Sequence, residues 1–118
     1  MGLASQVLTG LVAALHAYFL VLEMFLWATP FGAKTFARPL EEMQQMKALA
    51  ANQGLYNGFL AAGLVWSIAV PSFEIRVFFL ACVVIAGLFG AATASRKILY
   101  SQAIPGAAAL AVTLLSRP

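Results

Sequence analysis

The sequence predicts an all-α integral membrane protein whose four helices run up-down-up-down as one bundle, and three observations carry that prediction. Of 118 residues, 63% are hydrophobic and only 9% charged, against roughly 25% charged in a soluble domain. Too few polar groups remain to cover a water-facing surface. Polar and proline punctuation then divides the chain into apolar stretches of about 20 residues, the length a helix needs to cross hydrocarbon. Four such stretches with short connections nearly exhaust residues 1–118, which predicts a single domain with no room for a soluble catalytic unit.

The first span covers about Ser5 to Thr29 and stops before Pro30, because the residue preceding a proline is pushed out of helical geometry. Its opening, MGLASQVLTG, lacks the basic start of a signal peptide, and the apolar run continues to Trp27, so it reads as a retained helix. The hydrophilic stretch PFGAKTFARPLEEMQQMK follows. Within it, Pro39 opens a candidate surface helix over 39–48, with Glu41 and Glu42 at its positive end. Leu40, Met43, Met46, Leu49 and Ala50 recur there at helical spacing. The second span covers about Leu49 to Val70 and ends at Pro71. The third covers about Phe73 to Ala94, and the fourth about Ile98 to Leu115. Pro105, inside the fourth, should bend it or leave a carbonyl free.

Charge sets the expected orientation. Lys34, Arg38, Lys47, Arg96 and Lys97 flank the loops after the first and third spans, whereas Arg76 and Arg117 flank the other side. The excess places those two loops in the cytoplasm and both termini outside. The formal charge of +3 is neither large nor clustered, which argues against a nucleic-acid partner. Cys82 is the single cysteine, so no disulfide can form within the chain. Gly54, Gly58 and Ala62 form one ridge of small residues, and Ala86, Gly90 and Ala94 another. Such ridges let helices approach closely, within one chain or between copies in a homo-oligomer.

The informative residues are polar ones inside the spans. His16 and Glu23 are seven apart on the first helix, about 20° from eclipsed, so they share a stripe with Trp27. A carboxyl group within hydrocarbon costs a few kcal/mol and turns toward the bundle interior. The second helix opens with Asn52, Gln53, Tyr56 and Asn57 on an arc of about 140°. Thr93 closes the third helix, and Gln102 lies near the start of the fourth. In an alternating bundle all of these except the deeper His16 share the cytoplasmic half. This shared depth predicts a polar pocket in which Glu23 and His16 are the acid/base or charge-pairing groups. Trp27, Asn52, Gln53, Tyr56, Asn57, Thr93 and Gln102 would then orient a small-molecule or lipid-like ligand. The competing structural reading makes the same groups interhelical glue at about 0.6 kcal/mol per bond.

Metal ligation is disfavoured, because one His and one Glu fall short of the three or four ligands a zinc site needs. A single His is also a weak signal for haem, and no phosphate-binding loop or serine-hydrolase arrangement is evident. Nothing in the chain specifies a cofactor or a reaction. Two other function classes remain: a proton-coupled transporter subunit using Glu23, with Pro105 and Gly106 as hinge, and an assembly protein acting through its small-residue ridges.

His16-x-Tyr18 with Leu22-Glu23-Met24 and Trp27, the block Ala51-Asn52-Gln53-Gly54-Leu55-Tyr56-Asn57-Gly58-Phe59-Leu60-Ala61, the run from Cys82 to Gly87 with Gly90 and Thr93, and Gln102-Ala103-Ile104-Pro105 together resemble domain-of-unknown-function family 1304. The resemblance covers nearly the whole chain. It implies a small four-span protein of the bacterial inner (plasma) membrane, and it implies no reaction.

Overall fold

The computed structural model describes residues 1–117, and every regular element among them is helical. Six α-helices occur: α1 (Leu3–Val21), α2 (Pro30–Phe36), α3 (Leu40–Gln45), α4 (Lys47–Ala69), α5 (Phe73–Thr93) and α6 (Ile104–Leu115). A π-helical turn, Leu22–Leu26, extends α1, and a second, Leu99–Ala103, leads into α6. The all-α class is therefore as expected. Among the described residues only Leu3–Leu26 and Phe73–Thr93 combine the length and mean hydropathy, 1.8 and 2.3, of a membrane-crossing helix. At 23 residues α4 is long enough, but Asn52, Gln53 and Asn57 dilute its apolar character. The fourth apolar segment, Leu99–Leu115, is shorter.

Prolines shape the helix ends through the donors they lack. Pro30 cannot give an N–H to the carbonyl of Leu26, and the Thr29 hydroxyl donates there instead at 2.6 Å. The same hydroxyl oxygen accepts from the Gly32 N–H at 3.2 Å, capping α2, with Pro30 at a first-turn position that suits it. This Thr-Pro signal marks a helix that the sequence reading passed over, because Gly32 and Thr35 are poor helix formers. Pro71 likewise leaves the Ser67 carbonyl without its helical partner, and the Ser72 N–H reaches it at 3.3 Å. Around Pro105 the chain neither kinks freely nor stays α-helical. It widens into the π turn, closed by Ile104 N–H donating to Leu99 O, and Pro105 then falls in the first turn of α6.

The chain divides into two compact units. The first comprises Met1–Leu15 with Leu60–Pro118, and the second comprises His16–Phe59. In the first unit Val12, Ala13, Leu64, Leu80, Val83 and Ala109 form the core, with Leu8, Leu60, Phe79 and Leu110 against it. Close approach depends on glycine. A Cβ at Gly87 would sit 2.6 Å from the backbone nitrogen of Ala103, and one at Gly106 2.7 Å from Val83 Cγ1. The packed face of α5 thus runs Arg76, Leu80, Val83, Gly87, at helical spacing. Ala86 and Ala94, expected to pack as a ridge, are exposed. The ridge expectation read spacing without knowing which face the other helices occupy.

In the second unit α2 folds back tightly on the end of the π turn. A Cβ at Gly32 would collide with the carbonyl oxygens of Leu26 and Trp27. α2 ends on Ala37 in the left-handed conformation (φ 53°), with the Arg38 N–H donating to Ala33 O. The surface helix expected over 39–48 is the shorter α3, one of whose residues, Met43, is fully buried.

Candidate functional site

Glu23 lies in the π turn and Asn57 on α4, and the Asn57 amide Nδ2 donates to Glu23 Oε1. Two glycines make this contact available. A Cβ at Gly54 would lie 2.6 Å from Met24 Cγ, 3.1 Å from Glu23 Cβ and 3.2 Å from Leu20 O, and one at Gly58 2.6 Å from Leu20 Cδ1. With hydrogen alone at 54 and 58, α4 comes close enough for the short Asn57 side chain to span the gap. The amide offers a donor to one carboxylate oxygen, while the side chain of Glu23 stays half-buried. π turns recur at functional sites because the extra residue re-aims a side chain. Gln102, half-buried, occupies the other π turn.

The remaining sequence-predicted residues lie as follows. His16 is fully buried, its ring edge-on to Phe19 at 5.3 Å. Trp27 turns toward the loop helices: its Nε1–H donates to Met43 O at 2.9 Å and its ring lies 4.7 Å from that of Phe36. Asn52, Gln53 and Tyr56 are exposed on α4. Thr93 is exposed too, and its hydroxyl donates to Phe89 O of its own helix at 2.7 Å. Among the described residues no group of three or more His, Cys, Asp or Glu side chains is placed to hold a metal ion.

Replacing Trp27 with phenylalanine keeps the ring stack and removes the bond to Met43 O, at an expected cost of about 1 kcal/mol. Limited proteolysis should then cut residues 28–46 faster than in the wild type. Equal cutting rates would mean that the indole N–H does not hold this segment.

Sequence reasoning missed a second polar cluster. Arg76 reads in the sequence as a flanking charge, and Ser5 and Ser67 have no place in the expected pocket, yet all three are fully buried, as is Thr113. Arg76 Nη1 donates to Ser5 Oγ at 2.9 Å and Nη2 to Ser67 O at 3.0 Å, while Nε approaches Ser67 Oγ at 3.4 Å. Ser5 and Thr113 are joined at 2.6 Å. The available signal was Pro71, four residues after Ser67: a carbonyl deprived of its helical N–H invites a long cationic side chain.

The described residues thus form a helical chain with two helices long and apolar enough to cross a membrane and a glycine-seated carboxylate–amide pair. The chain belongs to the DUF1304 family of proteins of unknown function, whose model matches residues 10–114. It is 29% identical over 106 residues to an uncharacterized protein, YpaA, of Lactococcus lactis subsp. lactis (strain IL1403), covering 86% of this chain and 89% of that protein. No solved structure matches.

Proposed function

We propose that this chain is a four-span protein of the bacterial inner membrane, with a polar pocket built on Glu23 and Asn57 that binds a small or lipid-like ligand. The pocket lies in the cytoplasmic half. Membrane residence is supported by how little of the apolar helices the fold covers. Only 28% of the best window in Leu3–Leu26 and 22% of that in Phe73–Thr93 are buried. Leu3, Phe25, Ile85 and Phe89 are each at least 67% exposed. The core helix of a soluble protein would be mostly covered, whereas lipid accepts such side chains without cost. The further spans are α4 and the segment from the second π turn through α6.

Burial of Arg76 also sharpens the orientation. With that guanidinium among helices instead of at the interface, only Arg117 remains opposite Lys34, Arg38, Lys47, Arg96 and Lys97. This imbalance supports termini outside and basic loops inside.

The Asn57–Glu23 hydrogen bond carries the pocket reading. A carboxyl group within a span marks function by default, and here a donor from another helix holds one oxygen, leaving the other for a ligand. The exposed Asn52, Gln53 and Tyr56 supply further hydrogen-bonding groups on α4. A proton-coupled transporter is the second reading, favoured by the two π turns at Glu23 and Gln102, where helices can change register.

Native mass spectrometry of protein extracted gently from its own membranes tests the pocket. A discrete adduct should accompany the wild type and vanish in Glu23→Gln and Asn57→Leu. An adduct pattern identical in all three proteins defeats the reading.

A further inference from the structure

Arginine one turn inside a helix usually extends its head toward water. Arg76 does the opposite and is fully buried in the first unit. The hydroxyls around it can be oriented one by one. Thr113 Oγ1 spends its hydrogen on Ala109 O at 2.8 Å, so Ser5 must donate to Thr113 Oγ1. Ser67 spends its own on Leu64 O at 2.6 Å. Ser5 and Ser67 therefore turn lone pairs toward the guanidinium, and all of the acceptors are neutral. Arg76 has five N–H groups, of which three are used, leaving two without an acceptor among the described residues.

A second unmet group lies nearby in the fold. Thr9 Oγ1 is buried and has no hydrogen-bond partner among the described residues. It stands one helical turn from Ser5 on the same face of α1. Two cationic N–H groups and one hydroxyl thus lack an acceptor among the described residues of this unit. Among the described residues the other charges at this end do not compensate: Glu74 is exposed, and Arg117, whose guanidinium is 5.3 Å from the Phe73 ring, adds positive potential. A trapped water would satisfy hydrogen bonds and leave the charge uncompensated, which is the larger penalty for a buried ion. A small anion meets both demands. Complete burial leaves no access for a phosphate headgroup.

We propose that Arg76 and Thr9 form a site for a small inorganic anion of the halide class, with Ser5 and Ser67 holding the guanidinium in place. The site is independent of the Glu23 pocket.

The test is thermal unfolding of the detergent-solubilised full chain, followed by tryptophan fluorescence, as sodium gluconate is replaced by sodium chloride or bromide at constant ionic strength. The melting temperature should rise by about 5 °C and saturate, as for a ligand that binds only the folded state. Arg76→Gln should abolish the rise. Should that variant not fold, Thr9→Val decides: it removes the orphaned hydroxyl without changing shape, and should raise the half-saturating chloride concentration about tenfold. Equal melting temperatures in gluconate and chloride overturn the proposal. So does a rise that never saturates, or one that Thr9→Val leaves unchanged.

Discussion

Gly87→Ala should be the most damaging single-methyl change in the first unit, lowering stability by about 3 kcal/mol. The added Cβ would stand 2.6 Å from Ala103 N, 2.8 Å from its Cα and 2.9 Å from its Cβ. These are mostly backbone atoms of the second π turn, so α5 and that turn must move apart, and the neighbouring contact of Gly106 with Val83 goes with them. Helix propensity pulls the other way, since alanine is favoured over glycine by about 1 kcal/mol in a helix interior. The sign of the result therefore reports which effect wins. Gly90→Ala is the internal control. Its Cβ would meet Cδ1 and Cγ2 of Ile98 at 3.1 Å, and a side chain yields more readily than backbone. Denaturant titration of the solubilised chain should rank Gly87→Ala well below Gly90→Ala, and equal stabilities would mean that the tight crossing does not hold the unit together.

Asn57→Leu should cost about 2 kcal/mol, because a hydrogen bond to a charged group contributes roughly 1.5–3 kcal/mol and the carboxylate is left half-buried without its donor. Glu23→Gln should cost less, since a glutamine amide can still pair with Asn57. Combining Glu23→Leu with Asn57→Leu should restore part of the loss, leaving a coupling of at least about 1 kcal/mol in the double-mutant cycle. Additive losses would show that the two side chains do not support each other. Gly54 and Gly58 deserve inclusion in the same series, because a leucine at either position pushes α4 off Leu20 and Met24 and should break the pair from a distance.

Much of the fold was legible in the residues. Apolar runs between Pro30, Pro71 and Ser95-Arg96-Lys97 mark the long helices to within a few residues: α4 begins at Lys47 against an expected Leu49, and α5 ends at Thr93 against an expected Ala94. Pro105, expected to bend the helix or leave a carbonyl free, instead follows a π turn whose Ala103 packs against Gly87. Helix α2 was missed, because a seven-residue helix draws its stability from the Thr29 cap and from Gly32 lying on carbonyl oxygens, and a periodicity search detects neither.

The site was legible to a lesser depth. Spacing put Glu23 on one stripe with His16 and Trp27, and the NQGLYNG block singled out α4. Spacing could not say that Asn57, and not the adjacent Tyr56, would meet Glu23. Arg76 was legible only as a charge near a helix end, and its surroundings make it the hub of a buried cluster.

Composition and periodicity alone determined that this chain is helical, where its long helices run and which polar groups lie within apolar stretches, because those properties follow from backbone hydrogen bonding and side-chain transfer, residue by residue. Which of those groups became partners was decided only by tertiary structure. Pairing Glu23 with Asn57, and Arg76 with Ser5 and Ser67, requires particular helix faces to approach within a few ångströms, and for Glu23 that approach depends on Gly54 and Gly58.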